Sequence, residues 1–278
     1  MDLEIISHLP KTKKNAKSTP LLFVHGAFCG AWVWEEHFLP YFAERGFEAH
    51  ALSLRGHGKS DGHALLPLFG ISDYVEDLKN TVEGMNPRPI LIGHSMGGVV
   101  VQWFLQDHAV PGAVLMGSGP PYGMLASAAV TFLNNPIIST QVSLMPMAQL
   151  FASNPVFMDM SRRVLFSERM PEDKAMDFLR RTQLESFRAM FDLSWPHRAK
   201  TQGTPLLVLG AEKDYFISPY MVRATAKAYK TEAEIFPHMG HAMMVETGWE
   251  AIADRIIRWI DEGFPMRGLP NASENKAV

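Results

Sequence analysis

The sequence predicts an α/β protein built on a doubly wound, mostly parallel sheet. Three observations carry this: short, near-continuous apolar runs recur along the chain, longer stretches of helical periodicity separate them, and one run passes through a glycine-rich turn straight into a helix. The runs lie at residues 21–24, 49–52, 90–92, 113–116 and 206–209, with a weaker one at 233–236. Each is too short for a helix, and most are bounded by Gly or Pro. Unbroken apolar character over four or five residues marks a strand covered on both faces, as in a parallel sheet.

The intervening stretches read as helices. Residues 34–45 place Phe38, Tyr41 and Phe42 on one face, and residues 72–85 begin at a capping Ser72 or Asp73 and carry Tyr74, Val75, Leu78 and Val82 at helical spacing. Residues 96–107, 218–229 and 247–263 complete the set, the last with a stripe of Ile252, Ile256, Trp259 and Ile260. From 120 to 196 the alternation stops. That segment is rich in Met, Phe and Leu, holds eight of the 17 methionines, and has helix-like patches such as 173–191. It is too long for an ordinary loop and reads as a helical cap over the carboxyl ends of the strands. The expected organisation is core at 1–119, cap at 120–196, core again at 197–263, and a polar tail at 264–278.

Composition sets the outer limits. The 278 residues carry 26 basic and 29 acidic side chains, a net charge of −3, so electrostatics suggest no nucleic-acid partner and no anionic membrane surface. A single cysteine, Cys29, excludes an intrachain disulfide and a cysteine-based zinc site, and reads as a small loop-packing residue. No secretory pattern and no apolar run of membrane-spanning length is visible, so a soluble, reduced, cytoplasmic protein without stable membrane insertion is expected. Lys11, Lys13, Lys14 and Lys17 read as a solvated turn between two early strands.

The chemistry centres on Gly93-His94-Ser95-Met96-Gly97-Gly98, directly after one strand and directly before a helix. A serine in so tight a turn is held in a strained backbone with its Oγ above the sheet edge, and the glycines let strand and helix approach closely. Serine needs a base. Among the 11 histidines, His241 falls just after the last strand, where the third member of a Ser-acid-His order belongs. His238 reads as a loop residue, and His94 as packing against the sheet. Asp214, in the loop after 206–209, is the expected acid; its neighbour Glu212 reads as surface. An oxyanion needs two preorganised donors: the Met96 amide at the helix start, and the Ala27 amide in the loop His25-Gly26-Ala27-Phe28-Cys29-Gly30, with Phe28 the next choice. His25 is positioned to fasten that loop by hydrogen bonds.

Taken together with Arg55-Gly56-His57-Gly58-Lys59-Ser60, these residues resemble the α/β-hydrolase family, and the stretch from Arg55 to Ser60 is similar to its esterase, lysophospholipase and monoglyceride-lipase-like members. One departure is Ser53, where many members carry an aspartate; it implies a change in loop bonding. The resemblance implies the α/β-hydrolase fold with the cap inserted after the sixth core strand. It also implies two-step acyl transfer from Ser95, Asp214 and His241, with no metal or cofactor. Dehalogenase and epoxide-hydrolase members use an aspartate at the position of Ser95, which makes both activities unexpected. Ester, thioester or lactone hydrolysis, C–C hydrolysis and perhydrolase activity remain.

Phe28 and Phe216 are expected to line a substrate pocket, with a minority of the cap's Leu125, Phe132, Leu144, Phe151, Phe157, Leu165 and methionines; most of these form the cap's own core. The cap carries few buried-looking charges, and Arg162-Arg163 and Arg180-Arg181 read as solvated helix faces. A small-molecule ester with a short- or medium-chain acyl group is the expected substrate. The alternatives are a C–C or enol-lactone hydrolase, which needs a cation facing its acidic substrate, and a ligand-sensing protein with little turnover.

Overall fold

A computed structural model describes residues 1–11, 16–125 and 154–264, together with Pro136, Thr140 and Leu144. Its seven strands are β1 (Ile5–His8), β2 (Leu21–Val24), β3 (Ala49–Leu52), β4 (Ile90–His94), β5 (Ala113–Met116), β6 (Leu206–Ala211) and β7 (Ala233–Phe236). They form one sheet in the order β1-β3-β2-β4-β5-β6-β7. Only β1 runs antiparallel, on the edge beside β3.

Side-chain alternation along the strands feeds two cores. Leu21, Phe23, Ile90 and Ile92 face one side, against α1 (Trp32–Glu35), α2 (Phe38–Glu44) and α9 (Trp249–Asp261). Leu22, Val24 and Leu91 face the other, against α3 (Ile71–Glu83), α4 (Met96–Phe104) and α8 (Pro219–Ala228). The chain therefore leaves β2 toward one face and β4 toward the other. Adjacent parallel strands that part in this way open a crevice at their carboxyl ends, the position where doubly wound sheets bind ligands.

Between β5 and β6 lies the long insert, with α5 (Pro155–Leu165), α6 (Glu172–Arg181) and α7 (Phe187–Asp192). It follows the fifth described strand rather than the sixth, because a single strand, β1, precedes β2 among the described residues. Two expected helices are broken. The stretch 34–45 splits into α1 and α2 because Pro40 has no N–H to bond backward and is accommodated in the first turn of a new helix. The stretch 173–191 splits at 182–186, where Gln183 and Glu185 turn inward, and Ser186 restarts the chain by accepting the Ala189 amide at 3.2 Å.

Leu125 and Leu144 are exposed, and neither belongs to a core cluster among the described residues. Phe132, Phe151, Met145, Met147, Lys13, Lys14 and the tail beyond residue 264 lie outside the described residues. Lys17 pairs with Asp261 at 2.6 Å, and Arg162 and Arg163 both pair with Asp159.

Candidate active site

The register Val24↔Gly93 brings the loops after β2 and β4 level with each other. Ser95 sits in the turn from β4 to α4 with φ 52° and ψ −118°, a conformation strained for any side chain but tolerable when the surroundings over-determine it. The glycines enforce the geometry: a β-carbon on Gly93 would fall 2.6 Å from the Gly97 carbonyl oxygen, and one on Gly97 would press into the carbonyls of Val24 and His25.

The structure brings the three expected side chains together. His241 Nε2 lies 3.1 Å from Ser95 Oγ, and His241 Nδ1 lies 2.7 Å from Asp214 Oδ2. A carboxylate only accepts, so Nδ1 carries the proton and Nε2 presents a lone pair to the serine hydroxyl. Asp214 is fixed by the amides of Phe216 and Ile217, both donating to Oδ1 at 2.8 Å. The other titratable neighbours stay out. Glu212 is exposed and accepts the His238 amide at 2.8 Å, and His238 is itself exposed. His94 donates from Nε2 to the His241 carbonyl at 2.9 Å, and burial followed by the nearby His241 ring drives its pKa well down.

The loop after β2 is fastened by His25. Its Nδ1 donates to the Gly26 carbonyl at 2.8 Å while its Nε2 accepts the Leu54 amide at 3.0 Å, so the ring is neutral. Burial, reinforced by the His57 charge, drives its pKa to about 3. Ala27 and Met96 both line the crevice, and among the described residues no acceptor takes either amide. The alternative donor, the Phe28 amide, is already engaged by Glu185 Oε2 at 3.1 Å. Ser53, the one departure, takes part in the bonding of this loop. Its hydroxyl accepts the Ala31 amide and donates to Glu4 Oε2, so a carboxylate from the start of the chain serves this loop. Arg55 anchors the same loop to α3 through Asp77.

Glu185 is a residue that sequence reasoning missed, one of the few charges the insert does bury. It lies in the insert, is buried, and also accepts from His57, Tyr74 and the Ser186 amide. Burial works against its carboxylate, yet the His57 charge and these donors outweigh that and hold its pKa below the usual carboxylate range. Burial likewise opposes a charged His57, and Glu185 outweighs it to raise the ring's pKa. Glu246, also missed, accepts the Gly240 and Ser167 amides and so ties the His241 loop to the insert.

Above Ser95 lies a cavity of about 340 Å³. Phe28 and Phe216 line it, as do Met124, Leu165, Phe178 and Met190 from the insert; the Phe216 ring centroid is 5.0 Å from that of His241. Cys29 also reaches its wall, with burial raising the thiol to about 12. No Asp, Glu, Lys or Arg is among the described lining residues. The sequence carries no Asp, Glu, Lys, Arg or His anywhere between His108 and Asp159, a span that includes the undescribed part of the insert.

A strand-turn-helix serine facing a histidine and a strand-end aspartate, on a mostly parallel sheet, defines the class. The chain is a member of the alpha/beta hydrolase family, whose pattern it matches over residues 21–255. It is 28% identical to a monoacylglycerol lipase of Mycolicibacterium smegmatis over 239 residues, covering 81% of each chain. A pyrethroid hydrolase of Sphingobium wenxiniae is 29% identical over 90 residues, and this chain spans only 31% of that enzyme's length. Epoxide hydrolase 3 of Mus musculus is 22% identical over 254 residues, 80% of this chain and 65% of that one. Among solved structures, an esterase from Exiguobacterium antarcticum superposes with a TM-score of 0.70 at 16% identity, covering 93% of this chain and 95% of that one. A bromoperoxidase from Bacillus anthracis gives 0.69 at 16% identity over the same shares. No helix among the described residues is long and apolar enough to cross a membrane.

Proposed function

We propose that this protein is a serine hydrolase of uncharged carboxylic esters with short- to medium-chain acyl groups. The observation that carries the reading is the relay from Asp214 through His241 to Ser95, set, among the described residues, under a cavity with no charged lining side chain and beside two amides with no acceptor. Ser95 Oγ attacks the ester carbonyl carbon as its proton passes to His241 Nε2. The oxyanion is held by the amides of Ala27 and Met96, the second helped by the amino end of α4. His241 then protonates the departing alkoxide, leaving an acyl group on Ser95. Water gives a proton to His241 as it attacks that carbonyl, and the proton returns to Ser95 Oγ as the carboxylic acid leaves. Asp214 holds the ring's tautomer and stabilises the imidazolium throughout.

Three considerations support this reading over its rivals. An acidic ring-cleavage product would bury its carboxylate against described lining residues that include no Lys or Arg, at a cost of several kcal/mol. A serine, not an aspartate, stands at the elbow, which disfavours epoxide opening by an enzyme-bound ester. The names of the relatives and neighbours, a monoacylglycerol lipase, a pyrethroid hydrolase and an esterase, agree with hydrolysis at an ester. The cavity volume falls near the small end of ligand pockets, about 300–1,000 Å³, which favours short and medium chains.

The test is initial rates on p-nitrophenyl esters from acetyl to palmitoyl, with the neutral butyrate set against the acidic hemisuccinate and Ser95→Ala as control. A Ser95-dependent optimum at short or medium chains, with butyrate well above hemisuccinate, is the expected result. Turnover by Ser95→Ala, or none by folded wild type, refutes the reading, and a preference for the hemisuccinate refutes its substrate class.

A further inference from the structure

The loop that carries Ala27 is held by the insert. Phe28 has φ 66°, a left-handed conformation unusual for a bulky side chain and kept only under outside restraint. Both of its backbone groups are bound by the segment between α6 and α7. Its N–H donates to Glu185 Oε2 at 3.1 Å, and its carbonyl accepts the Gln183 amide at 2.9 Å. The Gln183 side chain reaches the next loop, accepting from the Gly58 amide and donating to the Gly56 carbonyl, both at 2.9 Å.

Glu185 is in turn fixed from below. His57 Nε2 lies 3.0 Å from Oε2 while its Nδ1 faces the Arg55 carbonyl at 3.1 Å, so both ring nitrogens meet acceptors and both act as donors. Tyr74 and the Ser186 amide donate to Oε1 at 2.9 and 2.7 Å. The mechanism proposed for Ser95 uses none of these groups. A buried carboxylate with four donors is a rigid fixture, and the donor at its upper end belongs to the residue that follows Ala27.

We propose that Glu185 is the positioning residue of the oxyanion loop: by capturing the Phe28 amide it locks the left-handed turn that leaves the Ala27 amide free to face the cavity, and it makes that geometry depend on the seating of the insert. The inference rests on the serine-hydrolase reading. Without Glu185 the turn relaxes, the peptide amides of Phe28 and Ala27 change direction together, and the site loses one of two donors while keeping its nucleophile and base.

Glu185→Gln keeps the shape of the side chain but presents an amide nitrogen to donors on one side. Expected is a kcat lowered about a hundredfold, the cost of losing one oxyanion donor, with KM little changed. A trifluoromethyl ketone, which forms a tetrahedral oxyanion on Ser95, should lose affinity by the same factor, while the parent methyl ketone should not. Wild-type kcat in the folded variant, or equal losses for both ketones, overturns the proposal. Should the variant not fold, the wild-type protein decides by amide NMR. The Ala27 resonance should move downfield on formation of the ketone adduct, while the Phe28 amide stays protected and unmoved; a shift at Phe28 instead overturns the assignment. Failure of the adduct to form on Ser95 at all counts against the hydrolase reading itself, so the two failures are distinct.

Discussion

Gly26→Ala probes the closest approach in the site. A β-carbon there would lie 2.8 Å from His94 Nδ1 and 3.0 Å from Ser95 Cβ, both well inside ordinary contact. Restoring about 3.5 Å to the ring requires a movement of about 0.7 Å. His94 has little room to yield, since its Nε2 is bonded to the His241 carbonyl at 2.9 Å and the His241 ring centroid is 4.7 Å away. The loop must therefore move, carrying the next amide, that of Ala27, with it. Overpacking of this kind costs about 1–3 kcal/mol, and in a chain of this size each kcal/mol lowers Tm by about 2–4 °C. A donor displaced by most of an ångström loses much of its hold on an oxyanion, and misplacements near 1 Å cost about 100-fold. The expected outcome is a kcat on p-nitrophenyl butyrate lowered about 10- to 100-fold with a modest fall in Tm by circular dichroism. A lowered Tm with unchanged kcat would show that the β2 loop does not set the donor geometry, and the reasoning would fail.

Asp214→Asn should lower kcat by on the order of 10⁴-fold, as loss of the tautomer-fixing acid does in serine proteases, while Glu212→Gln should leave it near wild type; the reverse pattern in the same ester assay names the wrong acid. Acid should destabilise the fold through His25, whose folded pKa of about 3 lies below its unfolded 6.5. Its contribution is complete above pH 6.5 and is lost as pH falls toward 3, at about 1.4 kcal/mol per unit. Because His94 and His197 are also lowered by burial, and His57 is raised by Glu185 against its burial, the His25 share is read as the difference in urea midpoints between wild type and His25→Asn at pH 7 and 5, and should be about 2 kcal/mol. The same pH dependence in both proteins would contradict it. Cys29, with its thiol raised to about 12, should resist iodoacetamide at pH 8 in the native protein and react in urea, as read by mass spectrometry.

The parts of this molecule that could be read from sequence are those whose logic is local. Ser95 announces itself because strand, turn, nucleophile and helix are contiguous, and the glycines are required by contacts within a few residues. Asp214 and His241 follow from placement, since a strand end in a parallel sheet has one side on which chemistry can occur. Pro40 was visible too, and its break between α1 and α2 was missed only because the apolar spacing continues through it. Glu185 had no such signal. Its partners Phe28, His57 and Tyr74 are 157, 128 and 111 residues away, and between α6 and α7 it reads as one more solvated acid. Burial of a charge is decided by donors that assemble only on folding.

That contrast bears on how work is divided in the structure. Ser95, Asp214 and His241 stand beyond the ends of three strands, β4, β6 and β7, and the insert between β5 and β6 supplies none of the three. The insert is tied to the loops around them by Glu185 and Gln183 at the Ala27 loop, by the Leu165 carbonyl, which accepts the Ala242 amide, and by Ser167, which bonds to Glu246 beside the His241 loop. None of its charged groups is among the described lining residues of the cavity: Arg181 pairs with Glu36, and Asp159 with two arginines. On the proposed function, changes to the apolar side chains that the insert gives the cavity wall would alter the acyl groups admitted while leaving Ser95, Asp214 and His241 in place. On the same proposal the insert cannot be loosened at Glu185 at equally small cost, because the bonds that seat it there would also aim the Ala27 amide.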